Sequence, residues 1–186
     1  MGDGGVYPGG SNSYFMMNMI AKNKDYIELC KGILENISGM KMTFVEKGHP
    51  RQDQYRLHGR QHPLYSKLRA RIYTGKYKGI DPHALKLLDF EALSFLYMSD
   101  GSLVKYLRPE IKMKNPSYKV SLNMKRLSYG DLFILKKALK EKLDLEWNIN
   151  KQNQYYYLNL RLKDLNKFID GISPFITDSF KYKVTL

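Results

Sequence analysis

The chain has 186 residues, 43% of them hydrophobic and 26% charged, with a formal net charge of +13. That length holds one ordinary domain or two small ones with a packed core. No apolar run approaches the roughly 18 residues of a membrane-spanning helix, the N-terminus lacks a secretory signal, and the single cysteine, Cys30, cannot form an internal disulfide and fits a reducing compartment. The positive excess points to a polyanionic partner, with nucleic acid favoured over a membrane surface, because each neutralised phosphate releases condensed counterions.

In chain order, Gly5–Tyr7 and Tyr14–Ile20 read as strands joined by the turn Pro8-Gly9-Gly10-Ser11-Asn12. Residues 24–37 carry apolar residues at helical spacing, with Cys30 beside Ile27 and Ile33 on the inner face. Strands are expected over residues 42–47 and 54–60, around a turn running from His49 to Asp53. A helix with proline in its first turn follows over residues 63–73. Residues 89–98 form a short, nearly all-apolar helix, with Asp89 as N-cap and Gly101 as C-terminal stop. Strands over 103–112 and 118–125 enclose a loop with Asn115-Pro116. Ser128 caps a helix over residues 129–143. Strands over 146–151 and 155–162 flank the polar turn Gln152-Asn153-Gln154, and a last helix over 163–172 stops before Pro174.

The two halves echo each other. Gly2-Asp3-Gly4 answers Ser99-Asp100-Gly101, and Asn18-Met19 answers Asn123-Met124. The helix at Tyr26–Leu34 answers that at Asp131–Leu139, Gln54-Tyr55 answers Gln154-Tyr155, and Lys76-Tyr77-Lys78 answers Lys181-Tyr182-Lys183. Order is preserved throughout. The chain therefore reads as two repeats, residues 1–88 and 89–186, each a helix–β–β–helix–β–β–helix unit of the α+β class with an antiparallel sheet. The first repeat has only three residues before Gly4 and so lacks its opening helix.

Leu93-Ser94-Phe95-Leu96-Tyr97-Met98-Ser99-Asp100-Gly101 resembles the signature helix of the LAGLIDADG homing endonucleases. Met1-Gly2-Asp3-Gly4 resembles the tail of a first copy of that motif. The likeness extends over nearly the whole chain and is strongest to single-chain members with two motifs, found in organellar introns and phages. It implies two pseudo-symmetric αββαββα units with curved sheets, packed through the signature helices. It implies a sequence-specific double-stranded DNA endonuclease using Mg²⁺, with Mn²⁺ or Ca²⁺ able to stand in for binding. The last acid of each motif is the family's metal ligand, which carries over to Asp3 and Asp100; the preceding carbonyls belong to Gly2 and Ser99. Met98 and Ser99 depart from the motif's acidic spelling, but Asp100 is kept. One lysine per repeat is implied beside the reacting phosphate: Lys78 and Lys183, with Lys76 and Lys181 as alternatives. An RNA maturase assisting group I intron splicing, and a catalytically inactive DNA-binding relative, are the other functions the resemblance allows. The setting is intracellular, in a phage or bacterial cytoplasm or an organelle matrix.

The sheets are expected to lie along the DNA major groove, which admits a two-stranded ribbon. Candidate contacts in the first repeat are Asn18, Lys47, Arg51, Gln52, Gln54, Arg56, His58 and Arg60. In the second they are Lys105, Arg108, Lys112, Lys114, Lys119, Ser121, Asn123, Asn148, Asn150, Lys151, Gln152 and Gln154. Some of these touch phosphate alone and carry no sequence information. Trp147 and Cys30 read as core, and the four histidines have no zinc-ligand context. The signature helix needs an apolar partner. The expectation is about ten or more further apolar residues upstream, some three helical turns, giving a monomer, or else pairing with a second copy or a separate peptide.

Overall fold

The computed structural model describes residues 4–48, 52–75, 77–106 and 117–186. They divide into two compact units: residues 4–75 with Thr177–Phe180, and residues 77–176 with Lys181–Leu186. Residues 77–88 thus pack with the second unit.

The first unit holds β1 (Gly5–Tyr7), β2 (Tyr14–Ile20), α1 (Lys24–Glu35), β3 (Met40–Gly48), β4 (Gln52–Gly59), α2 (Pro63–Ile72) and the two-residue strand β5 (Tyr73–Thr74). The second holds β6 (Tyr77–Lys78), α3 (Pro82–Leu85), α4 (Phe90–Asp100), β7 (Gly101–Tyr106), β8 (Ser117–Leu122), α5 (Tyr129–Leu143), β9 (Trp147–Gln152), β10 (Tyr155–Leu160) and α6 (Leu165–Ile172). Each unit is built on a four-stranded antiparallel sheet. The orders are β1-β2-β4-β3 and β7-β8-β10-β9, the same topology twice. The same strand order thus occurs twice along the chain, in an α+β fold.

Alternation along the strands makes each sheet two-faced. In the first, Val6, Met17, Met19 and Leu57 are buried under α1 and α2, which add Tyr26, Ile27, Cys30, Tyr65 and Ile72. In the second, Val120, Leu122, Leu158, Leu160 and Trp147 are buried on one face, and Leu132, Leu135 and Leu139 from α5 pack against it. The ring of Phe168 in α6 meets Tyr97 and Trp147 edge to face, with centroids 5.0 and 5.7 Å away. Burial pushes the Cys30 thiol up to about 11, which keeps it a protonated core side chain at neutral pH.

Local sequence explains the element ends. Asp89 accepts from the Ala92 amide at 2.7 Å and starts α4. Ser128 and Asp131 form a reciprocal capping box that starts α5. Three boundaries need correction. β7 begins at Gly101, not 103, because the Gly101 backbone already pairs with Leu122. The last helix begins at Leu165 after a 3₁₀ turn over Leu162–Asp164. The helix over 63–73 ends at Ile72, where Tyr73 turns extended. Gly101 ends α4 as expected, at φ −86°. Its glycine is needed for packing, since a Cβ would collide with the Tyr97 ring and carbonyl.

Candidate functional site

Asp100 is the last residue of α4, half-buried. The helix end that carries it is held by several hydrogen bonds. The Asp100 carbonyl accepts from the Asn123 amide at 2.8 Å, which anchors it to the end of β8. The Gly101 amide donates to the Tyr97 carbonyl. The Ser99 hydroxyl donates back to the Phe95 carbonyl at 3.2 Å, within the helix.

Lys183 forms the fourth tie. It is 8% exposed, and its ammonium donates to the carbonyls of Met98 at 2.7 Å and Tyr97 at 3.4 Å. The Tyr97 hydroxyl returns a hydrogen bond to the Lys183 carbonyl at 2.9 Å. The terminal carbonyls of a helix lack intrahelical donors and carry the negative end of its dipole, so a cation is favourable there. Burial pushes the Tyr97 phenol far above its ordinary range, and the nearby Tyr182 adds to this, so the hydroxyl stays a donor. Of the two lysines left open in Lys181-Tyr182-Lys183, Lys183 reaches α4 and Lys181 is exposed. Lys78 is half-buried on β6. Gly2, Asp3 and Lys76 lie outside the described residues, as do Arg51, Arg108, Lys112 and Lys114.

The strand candidates sort by face. In the first sheet Asn18, Gln52, Gln54, Arg56 and His58 alternate with the buried Met17, Met19 and Leu57, so all five belong to the face away from the helices. Arg56 stands opposite Asn18 and donates from Nε to its Oδ1 at 3.0 Å. His58 rests on Tyr14, with ring centroids 4.7 Å apart, and Tyr14 continues to Tyr7 at 5.8 Å. Gln54 is 9% exposed, the most enclosed of the five. Arg60 is exposed just beyond β4. Lys47 is exposed at φ 47°, beside the bulge between Val45 and Gly48, with its amide donating to Asp53 at 3.1 Å.

In the second sheet Lys119, Ser121, Asn123, Asn148, Asn150 and Gln152 occupy the open face. Lys119 donates to the Tyr157 hydroxyl at 3.2 Å. Hydrogen bonds from Asn150 and then Lys119 hold the Tyr157 phenol below its ordinary range. Ser121, 4% exposed and so at least as enclosed as Gln54, donates to Asn159 at 3.4 Å, and Asn123 to Ser102 at 3.1 Å. Gln154 is exposed in the β9–β10 turn and donates to the Tyr155 hydroxyl at 2.9 Å.

Lys105 and Lys151 do not join this group. Lys105 pairs with Tyr118 and Lys151 with Tyr156, in the same alternation as the buried Val120 and Leu158. Their ammonium groups sit 5.6 and 5.7 Å from those tyrosine rings, at strand ends on the helix-covered side. Conversely, Lys41, Thr43, Tyr157 and Asn159 occupy open-face positions that the sequence reading missed. Taking the residues that alternate with the buried Leu158 on β10 and with the buried Met40 on β3 would have found them.

Among the described residues no three His, Cys, Asp or Glu side chains gather as a metal cluster. The donors at the end of α4 are a carboxylate and peptide carbonyls, a hard-oxygen set suited to Mg²⁺ or Ca²⁺ rather than zinc. No helix among the described residues is long and apolar enough to cross a membrane.

The model of the LAGLIDADG DNA endonuclease family matches residues 1–168. The uncharacterized protein MJ1098 of Methanocaldococcus jannaschii is 33% identical over 133 residues, covering 71% of this chain and 48% of that protein. The chain thus spans about half the length of the curated relative it matches. The homing endonuclease I-WcaI, bound to its DNA recognition sequence, superimposes with a TM-score of 0.77 at 20% identity, covering 100% of this chain and 81% of that one. I-DmoI in complex with DNA and Ca gives 0.56 at 20% identity, covering 92% and 83%. At such identities the structural likeness is one of fold.

Proposed function

The chain belongs to the LAGLIDADG DNA endonuclease family, and from that premise we propose that it binds a DNA duplex sequence-specifically and hydrolyses its phosphodiester bonds with Mg²⁺. The observation that carries this reading is the end of α4: the motif's last acid, Asp100, stands on a helix terminus fixed by Asn123, Tyr97 and Lys183. In this reading Asp100 and Asp3, one per repeat, hold the metal, with the carbonyls of Ser99 and Gly2 as neighbouring oxygens. When bound, the metal supplies Lewis-acid stabilisation of phosphoryl charge and lowers the pKa of a water.

The chain's own residues do the rest. The +13 charge draws the duplex in, and the two open sheet faces supply base contacts. Lys183, its ammonium already engaged by the helix carbonyls, holds the carboxylate in place as a positioning residue. Lys78 lends positive charge to the phosphate.

The test is incubation of the folded chain with Mg²⁺ and a pool of duplexes spanning intron-insertion sites. The expected result is a staggered double-strand break in at least one duplex, abolished by chelation. Retained duplex binding with no nicking in Mg²⁺, Mn²⁺ or any other divalent ion would instead mark an inactive DNA-binding relative. Intron splicing that survives Asp3→Ala/Asp100→Ala would mark a maturase.

A further inference from the structure

The two open faces differ in chemistry. In the first sheet the central strand β4 presents a guanidinium, Arg56. Its Nε is engaged by Asn18, so the terminal nitrogens make up the donor pair left for a partner. In the second sheet the β9–β10 ribbon presents amides, with Asn148 directly opposite Asn159 and Asn150 two pairs further along, on the same face. Asn148 is exposed, and the basic residue of that ribbon, Lys151, lies on the opposite face.

A guanidinium is donor-only and matches two acceptors side by side, the O6 and N7 of guanine. An amide carries one donor and one acceptor group and matches the N6 and N7 of adenine. We propose that the two sheets read chemically different half-sites, the first carrying a guanine under Arg56 and the second an adenine under the Asn148–Asn159 pair. The inference rests on the duplex-binding reading above and goes beyond it by naming bases and the residues that select them. Each such bidentate contact discriminates against the wrong base by roughly 10- to 100-fold.

The experiment is enrichment of binders from a fully randomised duplex pool by the full chain, without cleavage metal, for wild type, Arg56→Gln and Asn148→Ala. Both substituted positions are exposed, and circular dichroism checks that each variant is folded. The wild type is expected to enrich an asymmetric motif. Arg56→Gln is expected to change one guanine to adenine in one half and leave the other half intact. Asn148→Ala is expected to relax one adenine about ten-fold in the other half. A motif that ignores Arg56→Gln, or a base other than adenine responding to Asn148→Ala, overturns the base assignment while leaving duplex binding standing. A folded chain that enriches no duplex overturns both.

Discussion

Helices α1 and α5 cover their sheets in the same topological place, yet their ends are made differently. α5 has a reciprocal Ser128–Asp131 capping box, and Asp131 also accepts from the Ile80 amide at 3.2 Å. At its C-terminus Asp144 turns left-handed at φ 50° and joins an ionic cluster: Lys140 and Lys167 reach Asp144 at 2.6 and 3.0 Å, while Arg161 and Lys163 reach Glu146 at 2.7 and 2.9 Å. α1 has no side-chain cap at Asn23 and carries Gly32 in its interior. Both nonetheless bury an apolar stripe, with Ile27 and Leu132 each fully buried. The buried stripe and the alternating strands set the topology; the ends adjust stability locally.

If that is right, equal truncations of the two stripes should hurt equally and most. Ile27→Ala and Leu132→Ala are each expected to lower stability by about 3 kcal/mol, measured by urea unfolding; a near-silent Ile27→Ala would break the comparison. Ser128→Ala should cost about 1 kcal/mol in the same assay, by removing an oxygen that accepts from the Asp131 amide. Gly32→Ala should go the other way and stabilise by about 0.7 kcal/mol, since an added Cβ meets no heavy atom within 4 Å. The smallest effect concerns acid. Lys140 and Lys167 hold the Asp144 carboxyl down to about 2, and Lys163 and Lys140 hold Glu146 down to about 2. Depressed carboxylate values mean the cluster's contribution is present above the ordinary carboxylate range and is lost as pH falls through about 2. A small drop in Tm below about pH 4 should therefore be blunted in Asp144→Asn/Glu146→Gln.

Much of this was legible in the sequence because it is local. Asp89 and Ser128 announce their helices, alternation announces the strands, and the Asp-Gly and Lys-Tyr-Lys landmarks announce the repeat. What was not legible depends on facing and on distant contacts. A lysine on a strand can serve either face, and only the register places Lys105 and Lys151 beside Tyr118 and Tyr156. Gln54 reads like its open-face neighbours, and how enclosed it is shows only in the fold. Gly101 reads as a helix stop, but that the Tyr97 ring, four residues back along the helix, leaves no room for a Cβ there shows only in the packing. Lys183 is placed by the family resemblance beside a phosphate, and that its ammonium also engages the carbonyl end of a helix far away in sequence is visible only in the fold.

The most direct test of the central claim separates binding from cutting at Asp100. Asp100→Asn keeps the shape and removes the charge at the end of α4. On a duplex that the wild type binds and cleaves in Mg²⁺, the variant is expected to bind within about three-fold of wild type in Ca²⁺ while cleaving at least about 1,000-fold more slowly in Mg²⁺. Cleavage by Asp100→Asn at the wild-type rate would contradict the account.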